Sequence, residues 1–435
     1  MWLVDFCTCN RFVFTKKRYS LNSSKHIALV VYYWPPSGGS GVQRWLFFAN
    51  YFAKNGIKIS VFTPKNPRIA ETDNALTKKV HEYIDVIYVD GWEPLQKSKD
   101  AIGENMGQSD GLKSNLMRFV RANFLIPDAR VFWAKAAAKS LLNQHAKTPF
   151  DLLITSGPPH SLHLIGLKVK ARDNIKWIAD LRDPWVGFFQ NDSLPMSRST
   201  KDKHKLLQKR VLQAADRVVV TTPSLAKEFR DYNAATSVLT NGYEKILPNS
   251  SNPKKAMVYA GSLKSQQNPE ELWMAILELT QKSKDFATQF SLEIYGKVAV
   301  NVREDVYRLG IQKWVKFLGY KPKEELDKRL PNAKALLLLG IDMPNTHNII
   351  HGKLFEYMAA KRPVLAIGPQ PSDMEMLFTT HQLGVYTAFD DKKKIKSTLL
   401  NWFTEIDKPF QSKKIEQFQR EKIAKEYLKL ILENA

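Results

Sequence analysis

Short apolar runs separated by helical patterns make up most of the chain. Between them, apolar residues recur at helical spacing, as at Val42, Trp45, Leu46, Ala49 and Phe52. Alternation of strand and helix predicts a parallel, doubly wound α/β sheet. Before residue 245 the predicted strands are residues 26–34, 58–64, 86–90, 151–156, 176–181, 217–223 and 237–242.

A second series of strands and helices follows a break rich in Pro, Asn and Ser at residues 247–255. Two Rossmann-like domains are therefore predicted, facing each other across a cleft where ligands bind beyond the carboxyl ends of the strands. The second set of strands is residues 256–262, 291–297, 315–320, 333–340, 363–369 and 384–389. The predicted segments are a tail at 1–24, domains at 25–246 and 256–410, and an amphipathic helix at 411–435.

Composition indicates the charge of the partners and the cellular compartment, and it says nothing about the fold. The 435 residues include 65 Lys and Arg against 43 Asp and Glu, which gives +22 and favours anionic partners. The two cysteines, Cys7 and Cys9, are too close together for an easy structural disulfide, which fits a reducing, cytoplasmic compartment. No run of eighteen apolar residues predicts a membrane-spanning helix.

The segment HGKLFEYMAAKRPVLAIGP, residues 351–369, predicts a short helix, a turn and a buried strand. Glu356 lies near the start of this helix, beside the expected cleft. Its carboxylate is either a ligand contact or a solvated surface group, and periodicity alone leaves both open.

A glycine-rich loop follows the first strand at residues 35–45, with Gly38, Gly39 and Gly41 before a helix. Such a loop brings backbone N–H groups and a helix N-terminus close to an anion. It is neither a Walker loop nor a good dinucleotide fingerprint, because Arg44 stands where the last glycine would be. A flexible turn is the alternative.

Charged residues crowd the carboxyl end of another predicted strand, where Asp180, Arg182 and Asp183 fall within four positions. Charges at such a place are costly unless paired or used, so these residues are candidates for substrate hydroxyl contacts or proton transfer. The alternative is an Arg182–Asp pair that braces the loop. His160 follows a neighbouring strand and is either a further catalytic candidate or a residue that starts a helix.

The second domain also has a glycine and a charged residue between a strand end and a helix, namely Gly261 and Lys264. A lysine there can neutralise a diphosphate as a point charge, or it can be solvated. The sequence contains no HExxH motif and no cysteine cluster, so neither a metal ion nor a cofactor is expected.

Together, several motifs in this chain resemble those of GT-B fold glycosyltransferases, and among them glycosyltransferase family 4, the group 1 transferases. The resemblance covers about residues 26–410. It implies a hexosyltransferase-type enzyme that binds a nucleotide-sugar in the carboxyl-terminal domain and an acceptor in the amino-terminal one, without a metal ion. The motifs are GGSGVQRW (38–45), ADLRDPW (179–185), NGYE (241–244), YAGSL (259–263) and GKLFEYMAAKRPVL (352–365).

Carried over by motif, Glu356 matches a glutamate that binds the donor ribose, and Gly38 and Gly39 match a loop near the donor phosphates. Lys264 is a looser match to a phosphate-binding lysine. The resemblance favours retention of anomeric configuration.

Two positions depart from the family pattern. Asn348 stands where many retaining relatives have the first of two glutamates, which puts the sugar contact in question. Ser262 stands where an arginine is usual, so Lys264, Lys353 or Arg182 would have to balance the diphosphate.

These features predict transfer of a sugar from a nucleotide diphospho-sugar to a hydroxyl of a glycan or lipid-linked saccharide, as in polysaccharide biosynthesis. One alternative is a nucleotide-sugar epimerase, which also uses two such domains. Another is a basic polyanion-binding module, although no motif of a nucleic-acid-binding module occurs and no nucleic-acid partner is expected.

One segment suggests contact with a membrane. Residues 112–127 carry apolar residues at helical spacing with Lys113, Arg118 and Arg121 nearby, as an interfacial helix does. Packing into the core is the alternative. The first interpretation predicts a peripheral protein on the inner face of an anionic membrane.

Overall fold

The computed structural model describes residues 25–67, 72–94, 112–187, 194–248, 254–404 and 410–435. The predicted tail at 1–24, with Cys7 and Cys9, lies outside these ranges. The described residues form two parallel sheets, one of seven strands and one of six, with helices packed on both faces. The predicted α/β class with two Rossmann-like domains is confirmed.

The first sheet has the strand order β3-β2-β1-β4-β5-β6-β7. Its central strands β1 and β4 are buried along their whole length, because helices cover both faces of the sheet. The strands are β1 His26–Val30, β2 Lys58–Pro64, β3 Ile84–Val89, β4 Leu152–Gly157, β5 Lys176–Leu181, β6 Arg217–Val220 and β7 Thr236–Val238.

Two helical layers enclose this sheet. Trp45 of α1 fills the core on one face, whereas Trp133 of α4 fills the core on the other. The helices are α1 Ser40–Lys54, α2 Asn74–Thr77, α3 Leu112–Phe124, α4 Val131–Lys147, α5 Leu162–Asp173, α6 Arg198–Ala214 and α7 Pro223–Arg230.

The second sheet has the order β10-β9-β8-β11-β12-β13. Its strands are β8 Lys254–Ala260, β9 Leu292–Tyr295, β10 Val315–Gly319, β11 Ala333–Leu339, β12 Val364–Ile367 and β13 Gly384–Thr387. Its helices are α8 Glu270–Lys282, α9 Lys284–Gln289, α10 Val300–Arg308, α11 Lys323–Arg329, α12 Lys353–Ala360, α13 Asp373–His381 and α14 Lys392–Thr404. Throughout the described ranges, every helix is too short or too polar to cross a membrane.

The last helix, α15 Arg420–Asn434, returns to the first domain. The ring of Tyr427 lies 5.4 Å from that of Trp45 and 5.7 Å from that of Phe48. The helix begins at Arg420 rather than near residue 413, because the backbone N–H of Arg420 bonds the carbonyl of Tyr243 instead of continuing a helix.

The chain therefore crosses between the domains twice, and the two crossings touch each other. The backbone N–H of Tyr243 donates to the carbonyl of Phe418 at 3.0 Å. A Cβ on Gly242 would lie 2.4 Å from the same carbonyl oxygen, so only glycine fits at this close approach.

Candidate functional site

The carboxyl ends of the two sheets face each other. Helix α7 follows β6 of the first sheet and α13 follows β12 of the second. Ser224 of α7 hydrogen-bonds Asp373 of α13, at 3.1 Å from its backbone nitrogen and 2.8 Å from its hydroxyl. Ligands bind along such edges in parallel α/β sheets, so the loops at these strand ends form the candidate site.

A half-buried lysine occupies the second domain's side of the edge. Lys353 is the first residue of α12, and its Nζ lies 2.7 Å from the hydroxyl of Tyr259 and 4.1 Å from the centroid of that ring. A Cβ on Gly261 would lie 2.9 Å from Nζ, so the glycine leaves the ammonium its space. Burial, with a contribution from Lys264, lowers the pKa of Lys353 to about 7, against the opposing effect of Glu356.

His351 adjoins this lysine. Burial lowers its pKa to about 3, and the positive charges of Lys353 and Lys264 act in the same direction. Its imidazole is therefore neutral at pH 7. The start of α12, whose N-terminus no side chain caps, is surrounded by Lys264, Lys353 and this neutral histidine. The two lysines and the N-terminus of the helix attract an anion. The residues Lys264, His351 and Lys353, with Gly261, are called the cation pocket below.

Glu356 lies one turn further along α12, beside a shallow opening. Its Oε1 is 3.7 Å from Nζ of Lys323, and its side chain is 37% exposed. Lys323 also bonds Asp327 at 2.9 Å. The carboxylate is therefore held near the cation pocket while it stays accessible to a ligand. The opening is lined by Tyr243, Glu244, Lys323, Asp327, Glu356 and Arg420.

The glycine loop of the first domain packs against Arg182. The guanidinium donates from Nε to the carbonyl of Gly157 at 3.2 Å and from Nη2 to that of Pro158 at 2.9 Å. A Cβ on Gly41 would lie 2.1 Å from Nη1, so any larger residue here would displace the guanidinium. Gly39, with φ of +103°, is exposed, and Gly38 is half-buried beside it.

Asp180 lies deeper than its neighbours and is fully buried. Its Oδ2 accepts from the hydroxyl of Ser156 at 2.6 Å and from Nε1 of Trp45 at 3.2 Å. Its Oδ1 is 3.8 Å from Nη2 of Arg44, whose side chain is only 3% exposed. Arg44 in turn donates to the carbonyl of Leu239 at 2.9 Å. This carboxylate thus faces protein groups that join β5 to α1 and to the segment leaving the domain.

Asp183 and His160 lie with Arg182 at the strand ends. Burial raises the pKa of Asp183, and Asp180 adds to this while Arg182 opposes it. Burial lowers the pKa of His160 to about 4, so its ring is neutral at pH 7. The ring stacks on Trp185, with centroids 5.1 Å apart and an interplanar angle of 6°. The structure therefore brings three of the four candidate catalytic residues together and places Asp180 beneath them.

The sequence motifs predict no role for Arg44, Lys323 or His351. In the sequence, Arg44 stands where a dinucleotide fingerprint has its last glycine. A single arginine on the apolar face of α1 is itself a signal of a buried ion pair. Lys323 follows a strand end and opens a helix, the same arrangement that marks Lys264. His351 adjoins Lys353 in sequence.

The described residues contain no group of three or more His, Cys, Asp or Glu side chains arranged to hold a metal ion. Asn348, at the position where a carboxylate is usual in retaining relatives, is buried, and its Oδ1 has no hydrogen-bond partner among the described residues.

A separate surface feature lies on α3. Its polar residue Asn123 faces the start of α6. The Asn123 amide donates to the carbonyl of Pro195 at 2.8 Å and accepts from the backbone N–H of Ser197 and the hydroxyl of Thr200, both at 2.8 Å. Most apolar side chains of α3 are exposed. Packing of this helix into the core, one of the two alternatives from the sequence, is therefore wrong for them. These are Leu116, Met117, Phe119, Val120 and Phe124.

Helix α6, whose N-terminus Asn123 contacts, is strongly basic. It contains one acidic residue, Asp202. Its exposed cations are Arg198, Lys201, Lys203, Lys205, Lys209 and Arg210. The last turn of α3 thus contacts the start of α6. The exposed apolar side chains of α3 and the exposed cations of α6 are together called the α3–α6 surface below.

No known protein family and no curated protein matches the sequence at a significant level. Solved structures nevertheless share its fold. The apo form of the lipopolysaccharide outer core galactosyltransferase WaaB is 14% identical, with a TM-score of 0.57, over 94% of this chain and 100% of that one. A mutant of S. aureus TarM in complex with Fondaparinux, alpha-GlcNAc-glycerol and UDP is 11% identical, with a TM-score of 0.58, over 94% and 98%.

A putative UDP-N-acetylglucosamine 2-epimerase from Listeria monocytogenes is less similar, with 9% identity and a TM-score of 0.50 over 92% of this chain and 91% of that one. At such identities the likeness extends to the fold alone. The chain has the GT-B fold that the sequence motifs predict, and membership of family 4 stays a prediction.

Proposed function

We propose that this protein transfers a glycosyl group from a nucleotide diphospho-sugar to a hydroxyl of a glycan or lipid-linked acceptor. The observation that carries the proposal is the cation pocket beside the accessible carboxylate of Glu356. A nucleoside diphosphate presents two phosphates next to a ribose with two hydroxyls. Lys353 and Lys264 suit the phosphates, and a carboxylate suits the hydroxyls as an acceptor.

In the reaction the acceptor oxygen forms a bond to the anomeric carbon while the bond from that carbon to the phosphate oxygen breaks. The electron pair leaves with the diphosphate, whose developing charge the cation pocket and the N-terminus of α12 stabilise. The acceptor's proton passes to a base in the cleft. Neutral His160 and the ionised carboxylate of Asp183 are the candidate bases that the amino-terminal domain offers, and either would carry the proton after transfer.

The solved neighbours support this choice of chemistry. WaaB is described as a galactosyltransferase and the TarM complex contains UDP, so hexosyl transfer from a uridine diphospho-sugar is the first reaction to test. Retention is proposed from the family resemblance, with the neutral amide of Asn348 in place of the usual carboxylate. No metal ion or cofactor enters the proposal.

Replacing Glu356 by alanine is expected to weaken nucleotide binding about 10- to 100-fold, since hydrogen bonds to a charged group contribute about 1.5–3 kcal/mol each. Acceptor binding should stay unchanged. A thermal-shift panel of UDP-, GDP-, ADP- and dTDP-sugars identifies the donor, and calorimetry then measures its affinity.

The matched control is Glu325→Ala, which removes an exposed glutamate of the neighbouring helix that pairs with Lys321 at 3.0 Å. Donor affinity equal to the wild type in Glu356→Ala would contradict the ribose role. Incubation of the donor without any acceptor tests the epimerase alternative, because an epimerase converts the sugar by itself.

We also propose that the α3–α6 surface binds an anionic membrane. Its apolar side chains suit the acyl boundary, and the cations of α6 suit acidic headgroups. An enzyme whose acceptor is lipid-linked is brought close to that acceptor when it is held at the membrane. This placement would make the protein peripheral on the inner face of a cell membrane.

The double substitution Leu116→Glu with Phe124→Glu is expected to reduce binding to phosphatidylglycerol vesicles at least tenfold, because two buried apolar contacts are replaced by charges that the headgroups repel. Vesicle sedimentation measures this. Leu432→Glu changes an exposed leucine on α15 and serves as the control. Failure of the wild type to sediment with anionic vesicles in low salt would remove the membrane proposal.

A further inference from the structure

Helix α7 of the first domain lacks a cap of its own. Thr222 occupies its N-cap position, yet the threonine side chain caps nothing, and its Oγ1 is buried without a hydrogen-bond partner among the described residues. Helices usually satisfy their first N–H groups with such a side chain. The N-terminus of α7 must therefore be satisfied by another group.

Asp373 of the second domain supplies that group. Its Oδ2 accepts from the backbone N–H of Ser224 at 3.1 Å, and its Oδ1 accepts from the hydroxyl of the same serine at 2.8 Å. The side chain of Asp373 is buried at 5% exposure. A carboxylate from one domain thus caps a helix of the other.

The same carboxylate lies at the start of its own helix. Asp373 is the first residue of α13, whose N-cap, Ser372, accepts from the N–H of Glu375 at 3.1 Å. The positive ends of two helix dipoles therefore converge on one negative charge. Separation of the domains would leave the N-terminus of α7 uncapped and remove one of these dipoles from the carboxylate.

This contact is also joined to the loop that leads into the cation pocket. The backbone N–H of Asp373 donates to the carbonyl of His347 at 2.9 Å. Glu228, one turn after Ser224 on α7, lies across the same boundary from His347. The loop continues through Asn348 and His351 to Lys353, so the position of α7 is linked to the residues that surround the donor.

From this geometry we infer that Asp373 is a positioning residue for transfer. Its two hydrogen bonds to Ser224, called the clasp below, hold α7 and so keep the two domains at the separation that the reaction needs. The inference rests on the proposed function for its kinetic consequence, whereas its structural consequence is independent of that function. The nucleotide contacts proposed above lie in the second domain, so loss of the clasp should spare nucleotide binding and impair the step that needs both domains.

Asp373→Ala removes both hydrogen bonds and is expected to shift the ratio of closed to open molecules toward the open form at least tenfold. Ser224→Ala removes only the hydroxyl bond and should produce a smaller shift in the same direction. Small-angle X-ray scattering of the full chain should give a larger radius of gyration for Asp373→Ala, with an intermediate value for Ser224→Ala.

The matched control is Asp391→Ala, which removes the carboxylate that accepts from Lys394 N–H at 2.9 Å at the start of α14, away from the boundary. Its scattering should equal that of the wild type. Thermal unfolding checks that each variant folds, and Ser224→Ala, which keeps the backbone bond, carries the test where Asp373→Ala does not fold.

Kinetics separate the clasp from the proposed function. The clasp predicts that kcat for sugar transfer falls about tenfold or more in Asp373→Ala, while the Kd for UDP changes less than twofold. A wild type that binds none of UDP, GDP, ADP or dTDP would overturn the proposed function and leave scattering to decide the clasp. Equal radii of gyration for wild type, Ser224→Ala and Asp373→Ala would overturn the clasp itself.

Discussion

Asp180→Ala is expected to lower the free energy of unfolding by about 3–5 kcal/mol, the usual cost of breaking a buried ion pair by removing one partner. The substitution leaves the guanidinium of Arg44 in the interior, where its side chain is 3% exposed. Burial already lowers the pKa of Arg44, and Asp180 is the first of the groups that oppose this. The substitution also removes the group that accepts hydrogen bonds from the Ser156 hydroxyl and the Trp45 indole N–H.

Urea unfolding followed by tryptophan fluorescence measures this loss. The double substitution Asp180→Leu with Arg44→Met is the informative comparison, since replacing both partners by apolar groups of similar size often restores stability. If Asp180→Ala instead kept its stability within about 1 kcal/mol, well below the loss expected for a broken pair, and lost only transferase activity, a chemical role for Asp180 would replace the structural one.

The strands were predictable because both sheets are covered on two faces. Short apolar runs such as 152–154 and 335–339, separated by helical patterns, are then typical of strands that are buried on both faces. The burial of Asp180 follows only when the alternation of side chains along its strand is also considered. Residues alternate between the faces of a strand, so Asp180 shares a face with Ile178 and lies under α1. From its charge alone Asp180 is a candidate for contact with substrate, whereas its register places it beneath α1.

Contacts between segments distant in sequence were not predictable in this way. Spacing places Lys353 one turn before Glu356, but it does not show that the ammonium lies over Tyr259 and beside Gly261. Similarly, the pattern of α3 predicts an amphipathic helix without saying which side faces inward. That choice depends on the bonds of Asn123 to the start of α6, some 70 residues away in the chain.

Nucleoside diphosphate binding is expected to take up about 0.9 proton at pH 8, because Lys353, with its pKa of about 7, is then mostly neutral in the free protein. A diphosphate beside the amine favours its charged form and raises its pKa toward the ordinary value. The proton must come from solvent. Affinity should therefore fall as the pH rises above 7, by up to tenfold for each pH unit, and change little from this group below pH 6.

Calorimetry in buffers of different ionisation enthalpy measures the uptake directly, since the proton is drawn from the buffer. Lys353→Met should abolish the dependence on buffer and raise the Kd about 10- to 100-fold at pH 6.5, where the wild-type lysine is mostly charged. Lys361→Met, at the exposed end of the same helix, should leave both quantities unchanged. A wild-type heat that is the same in all buffers at pH 8 would show that Lys353 does not meet the diphosphate, and the anion would then have to be held by Lys264 and the N-terminus of α12 alone.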